Sequence, residues 1–167
     1  KRHILNIVIG LLLAYGTTLI DYRLLRAYTP IVWGIGVLGL IAVLVPGVGS
    51  TVNGARAWIS FPGGFQVQPA ELAKISIIVG MSMILSERTH GETAPSNKTV
   101  LQALVVAAIP IMLILLQPDM GTIFIISASV LTIIATSGAS TKWIAGLILA
   151  AAIGVFAAIN LNVISDY

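Results

Sequence analysis

Glu71 and Lys74 stand three residues apart where a Gly- and Pro-rich stretch gives way to an apolar run, in Gln68-Pro69-Ala70-Glu71-Leu72-Ala73-Lys74. A carboxylate and an ammonium at that spacing share one face of a helix. They can neutralise each other, or together hold a fixed positive charge for an anionic group such as a phosphate. Of the 167 residues only 9% are charged, and the mean hydropathy is +1.02. An ionisable pair at the edge of an apolar segment in such a chain has to be accounted for. Either charge alone in hydrocarbon costs roughly 2.5–3.5 kcal/mol on insertion scales. Two more ionisable residues have similar settings. Arg56 lies in the Gly-rich stretch 46–68, and Asp119 lies in Gln117-Pro118-Asp119-Met120-Gly121-Thr122.

These residues need elements to hold them. Pro69 suits the first turn of a helix, where no N–H is needed. Glu71 then falls in that first turn, where the positive end of the helix dipole favours it, and Lys74 lies one turn on. A capping carboxylate with an adjacent ion pair is one reading; a charge pair beside a substrate phosphate is the other. Pro118 favours a break just before it, so Asp119 sits at a junction between helices. Asp119 either caps the following helix through a backbone N–H or faces a polar cavity with Arg56 or Lys74. The stretch 46–68 carries Gly47, Gly49, Gly54, Gly63 and Gly64 with Trp58, Phe61 and Phe65. Its aromatics suggest a segment in the membrane interface. It reads either as an amphipathic loop whose Arg56 meets lipid phosphate, or as an interfacial or re-entrant element lining a site for an anionic headgroup.

The frame for all of this is a membrane. The chain is 57% hydrophobic, against about 45–50% in soluble domains. Six apolar runs are expected to span, at 4–20, 30–45, 72–85, 100–116, 122–136 and 143–161. The third is short and spans only if its helix starts near Pro69. Only helices and closed barrels satisfy their backbone in lipid, so the expected fold is an all-α, polytopic transmembrane bundle forming a single domain. Residues 21–29 read as a short link, and 87–99, with His90, as a flexible polar one. Asn6, Gly10 and Gly16 in the first run read as helix-contact residues. In the last run Gly146, Ala150, Gly154 and Ala158 form a ridge of small residues, expected to face another helix.

Arg23, Arg26, Arg88, Lys98 and Lys142 fall on one side of this topology, and Lys1, Arg2, Arg56 and Lys74 on the other, five against four. The positive-inside rule then puts 87–99 in the cytoplasm and 46–68, Asp119 and the C-terminus outside. The formal net charge of +3 is read as this loop bias, not as a nucleic-acid surface. Without cysteine there is no disulfide framework and no thiolate metal site. No P-loop, Rossmann glycine pattern or metal-ligand cluster appears in the sequence, and His3 and His90 assemble no Ser–His–Asp set. The opening Lys1-Arg2-His3 and the closing Ser165-Asp166-Tyr167 both abut apolar runs, as expected of a piece of a longer protein.

Two stretches go further. Asn53-Gly54-Ala55-Arg56-Ala57-Trp58-Ile59, followed by Phe65-Gln66-Val67-Gln68-Pro69-Ala70-Glu71-Leu72-Ala73-Lys74, resembles a hallmark of the SEDS family (shape, elongation, division and sporulation). Gln117-Pro118-Asp119-Met120-Gly121-Thr122 resembles the family's second hallmark. The order and separation also fit, and the resemblance runs over the whole chain, from the family's second helix to its seventh. Ala70 stands where Ser is commoner, and Ala57 where a second basic residue often occurs. Asp21-Tyr22-Arg23 and Pro46-Gly47-Val48-Gly49-Ser50 look more like the elongation (RodA-like) branch than the division (FtsW-like) branch.

The resemblance implies a ten-helix glycosyltransferase of the cytoplasmic membrane. It would polymerise a polyprenyl-pyrophosphate-linked disaccharide–peptide, the peptidoglycan precursor lipid II, on the outer face, beside a single-pass class B penicillin-binding protein. The resemblance places the catalytic Asp in a loop beyond Tyr167, so no catalytic residue is expected within this chain. Arg56 and Lys74 would bind the pyrophosphate. Glu71 would hold Lys74, and Asp119 and Gln117 would shape the same cavity. No metal ligand or cofactor is expected here, although a divalent cation is compatible with the longer protein. A flippase for the same precursor, or a scaffold for the transpeptidase, are the alternatives.

Overall fold

In the computed structural model the described residues are 2–19, 21–52, 54–62, 64–87 and 93–160. His90, Asp166 and Tyr167 lie outside them. Among the described residues there are six helices, α1 (Arg2–Thr18), α2 (Tyr22–Leu44), α3 (Pro69–Ser86), α4 (Asn97–Leu115), α5 (Met120–Thr136) and α6 (Thr141–Asn160). They match the six expected runs. Three of them hold stretches long and apolar enough to cross a membrane, Ala27–Leu44, Pro69–Ser86 and Asn97–Leu115. The other three hold shorter apolar stretches, His3–Thr18, Met120–Thr136 and Thr141–Phe156. Large apolar side chains such as Ile35, Leu38, Leu101, Met112, Phe124 and Leu149 face outward, a surface that suits lipid and not water. Hydroxyls on these helices bond back to their own backbone, as Ser129 Oγ and Thr132 Oγ1 donate to the carbonyls of Ile125 and Ala128 at 2.9 and 2.8 Å. These hydroxyls are satisfied without water.

One helix boundary meets the expectation and one departs from it. Helix α3 begins at Pro69, as its short apolar run required. Helix α2, however, starts at Tyr22, so residues 22–29 are helix and not a link, and Pro30 lies inside. Pro30 is the ninth residue of α2 and has no N–H for the Arg26 carbonyl, so the helix runs through it one backbone bond short. On the other side of the bundle, Ser96 caps α4 by accepting from Thr99 N at 3.2 Å.

The core lies between α2, α3, α4 and α5. Leu40, Ala73, Ile77, Met81, Ala103, Ala107, Ile114, Ile126 and Ile134 are buried there. Closest is the α2–α3 approach. A Cβ on Gly36 would sit 2.9 Å from Ser76 Oγ and 3.3 Å from Ala73 Cα, and one on Gly39 3.0 Å from Pro69. Trp33 Nε1 donates to the Val106 carbonyl at 3.1 Å and ties α2 to α4. The close packing by small residues is thus on α2 and α3, and the α6 ridge does not supply it. Gly146, Ala150 and Gly154 are exposed, and a Cβ on Gly146 or Gly154 meets nothing within 4 Å. Ala158's side chain lies outside the description. Helix α6 joins the core instead through Trp143, Ile144 and Leu147. Gly10 and Gly16 of α1 are likewise open, so within this chain they mediate no helix contact.

The stretch 46–68 is neither an irregular loop nor a re-entrant helix. It folds as a three-stranded antiparallel sheet in the order β1 (Gly49–Val52), β2 (Ala55–Phe61), β3 (Phe65–Val67). Gly54 (φ +84°) and Gly64 (φ +78°) take left-handed conformations at the two turns, which glycine adopts without a Cβ penalty. The sheet rests on the adjoining ends of α2 and α3.

Candidate functional site

The sheet, the start of α3 and the α4–α5 junction gather at one end of the bundle, and the candidate residues gather with them. Lys74 Nζ donates to Glu71 Oε1 at 2.7 Å. The buried face of α3 carries Ala70, Ala73 and Ile77. At 100° per residue Lys74 falls on the edge of that face, and Glu71 a further 60° out. Their side chains are accordingly 18% and 59% exposed. A pair this open contributes about 0.2–1 kcal/mol, so it adds little to stability, and the pair is not the buried one in which a lone charge would cost several kcal/mol. Glu71 takes one of three ammonium N–H groups and leaves the others for an incoming acceptor.

Asp119 is the N-cap of α5. Its Oδ1 accepts from Thr122 N at 3.1 Å and its Oδ2 from Thr122 Oγ1 at 2.7 Å. It also accepts from Gln68 Nε2 at 2.7 Å. Among the described residues it bonds neither to Arg56 nor to Lys74, so the cap is the arrangement present. Gln68 is a residue whose role sequence reasoning missed. It sits at the N-cap position of α3 but makes no side-chain cap bond, because its amide reaches across to Asp119. One hydrogen bond thus joins the two hallmark stretches. The signal was the repeated Gln-Pro, Gln68-Pro69 and Gln117-Pro118, before two adjacent helix starts.

Gln117 is fully buried and donates from Nε2 to the Leu40 carbonyl at 3.1 Å, anchoring the α4–α5 junction to α2. Its Oε1 has no partner among the described residues. Arg56 braces the sheet. Nε donates to the Gly49 carbonyl at 3.3 Å and a terminal N–H to the Val45 carbonyl at 3.0 Å, just past the end of α2. The guanidinium therefore ties the segment after α2 to β1 and β2, and among the described residues its remaining N–H groups have no acceptor. Arg56→Ala is expected to lower stability by about 1.5–3 kcal/mol, the range for a charged hydrogen bond. Thermal unfolding of the longer protein in detergent would measure it, and an unchanged midpoint would mean that the brace carries no weight. Among the described residues there is no group of three or more His, Asp or Glu placed to hold a metal ion.

The geometry can be set beside known proteins. The family model described as "Cell cycle protein", for FtsW, RodA and SpoVE, matches residues 1–167. The chain is 34% identical over 144 residues to the "Probable peptidoglycan glycosyltransferase FtsW" of Trichlorobacter lovleyi, covering 86% of this chain and 37% of that protein. It is 31% identical over 139 residues to "Stage V sporulation protein E" of Bacillus subtilis, covering 83% and 37%. The crystal structure of the rod shape determining protein RodA of Thermus thermophilus aligns with a TM-score of 0.71 at 30% identity, over 89% of this chain and 48% of that one. A structure described as "Structural coordination of polymerization and crosslinking by a peptidoglycan synthase complex" aligns at 0.77 and 28% identity, over 95% and 46%. The chain spans a little over a third of the length of these curated relatives. The names cover division, sporulation and rod-shape proteins, so the similarity carries the family and not a branch. With the model matched from end to end and the six-helix arrangement aligned to RodA, this chain is a multi-pass helical membrane protein that belongs to the FtsW/RodA/SpoVE cell cycle protein family.

Proposed function

We propose that the longer protein to which this chain belongs is a membrane peptidoglycan glycosyltransferase, and that its phosphate-binding corner is the one described here. The observation that carries this reading is Lys74, held by Glu71 at 2.7 Å on the rim of the bundle with N–H groups to spare. The names of the relatives support the activity. The substrate would be lipid II, the polyprenyl-pyrophosphate-linked disaccharide–peptide, drawn from the outer leaflet of the cytoplasmic membrane. A carboxylate base from beyond Tyr167 would take a proton from a sugar hydroxyl as that oxygen attacks the anomeric carbon of a second unit. The bond from that carbon to the pyrophosphate breaks, and the leaving group gains charge. Lys74, and Arg56 on β2, would stabilise that charge. Asp119 would act at one remove, by holding Gln68 and the start of α3.

In this reading the sheet lies outside the cell, and residues 87–99 lie inside. Cysteines replacing Thr51 and Ala94, both exposed, test the orientation. A membrane-impermeant maleimide should label position 51 and spare position 94 in intact cells, and the reverse pattern would sink it. A class B penicillin-binding protein is the expected partner, since the relative structure at TM-score 0.77 is described as a peptidoglycan synthase complex. The longer protein reconstituted with lipid II should form glycan polymer. Leaflet exchange without polymer would favour a flippase, and complex formation without either would favour a scaffold.

A further inference from the structure

We propose that the β2–β3 hairpin is a membrane-interface anchor, with Phe61 and Phe65 inserted into the headgroup region of the leaflet beneath it. The sheet register separates two faces. Gly49 pairs with Ile59, Ile59 with Val67 and Phe61 with Phe65, and partners directly opposite share a face. Ala57, two residues from Ile59 along the strand, joins them. Ser50, Trp58, Ser60 and Gln66 form the other face, where Ser50 and Ser60 Oγ lie 3.0 Å apart and Gln66 Nε2 donates to Ser60 Oγ at 3.1 Å.

The apolar face is graded along its length. At the bundle end Gly49 abuts the Val43 carbonyl and Ala57 is fully buried. Ile59 and Val67 are half-buried. At the far end Phe61 and Phe65 are 48% and 64% exposed, with ring centroids 6.3 Å apart. The side of the sheet that meets the ends of α2 and α3 is the side that faces the bilayer, because those helices end there. The two phenylalanines continue that side with exposure rising towards the turn, and lipid is the occupant proposed for it. Residues 61–67, Phe-Pro-Gly-Gly-Phe-Gln-Val, carry no charge to resist entry. Aromatic side chains favour this depth of the bilayer, and burial of each ring area adds affinity. The occupant is thus the lipid of that leaflet, and the anchor would fix the height at which the sheet and α3 stand over the membrane.

The sequence contains no cysteine, so single cysteines at Phe61, Phe65 and Gln66 are unique within it. Each is labelled with the fluorophore NBD in the longer protein, any cysteine elsewhere being replaced by serine, and reconstituted in phosphatidylcholine–phosphatidylglycerol vesicles. We expect blue-shifted emission at positions 61 and 65 that is quenched when the vesicles carry a nitroxide lipid labelled near the headgroup. Position 66, on the opposite face, should emit as in water and resist quenching. Water-like emission at 61 and 65 would overturn the anchor. So would blue-shifted emission that the nitroxide lipid leaves unquenched, which would mean that protein covers the tip. Equal quenching at 65 and 66 would deny the hairpin a lipid-facing side.

Discussion

The longer protein carrying Lys74→Ala is expected to reach normal levels in the membrane and form no glycan polymer. The two halves of that expectation have different causes. Lys74 and Glu71 form a rim pair with Glu71 59% exposed, and such a pair contributes at most about 1 kcal/mol to stability. Loss of the ammonium therefore leaves the bundle standing. The leaving pyrophosphate, by contrast, develops negative charge as its bond to the sugar breaks, and removing one fixed donor to such charge costs roughly 10²–10³ in rate in enzymes that stabilise it this way. Glu71→Ala should keep the charge but release its position, so activity falls severely without vanishing. The exchange Glu71→Lys with Lys74→Glu restores the pair but moves the cation a turn towards the α3 N-terminus, where the helix dipole opposes it. That double variant should fold as well as the parent and polymerise poorly. Polymer synthesis by purified protein, scored against membrane abundance, checks all three. Near-normal synthesis by Lys74→Ala would return the pair to a helix-end feature.

Asp119→Asn should be the more damaging substitution for the fold. The Asn carbonyl can still cap α5 through Thr122 N. Its amide, however, would replace the charged oxygen that now accepts from Gln68 Nε2 and Thr122 Oγ1, both at 2.7 Å, and Gln68 could meet it only by turning its carbonyl round. Losing a hydrogen bond to a charged group costs about 1.5–3 kcal/mol, and here it uncouples the start of α3 from the start of α5. Adding Gln68→Glu to Asp119→Asn reverses donor and acceptor and should recover most of the loss. The unfolding midpoint of the detergent-solubilised protein measures it. Failure of the second substitution to rescue would mean that Asp119 acts through its cap on α5 alone.

The bundle was legible because six apolar runs leave lipid as their only fitting surroundings. The Glu71–Lys74 pair was legible because Pro69 and Glu71 are local signals of a helix start and the pair is a contact three residues apart. The sheet was not read, although the Asn53-Gly54 dipeptide is a strong hairpin signal. The aromatics drew attention to the interface, and seven residues of β2 alternate poorly around a bulge between Ser50 and Thr51. Contacts distant in sequence were illegible for a plainer reason. The repeated Gln-Pro marks two helix starts but not that the Gln68 amide crosses 51 positions to Asp119, and nothing in Arg56 announces that it reaches back to the end of α2. The ridge on α6 was overread. A spacing of four small residues says that a helix can approach, and within this chain the helices that do approach meet at Gly36, Gly39 and Ala73.

The most direct test is to supply purified longer protein, in proteoliposomes, with lipid II fluorescent on its peptide, and to resolve the products by chain length. The account predicts a ladder of glycan chains from the parent protein and only unreacted precursor from Lys74→Ala in the same vesicles. No chains from the parent protein, with precursor moved between leaflets instead, would contradict it.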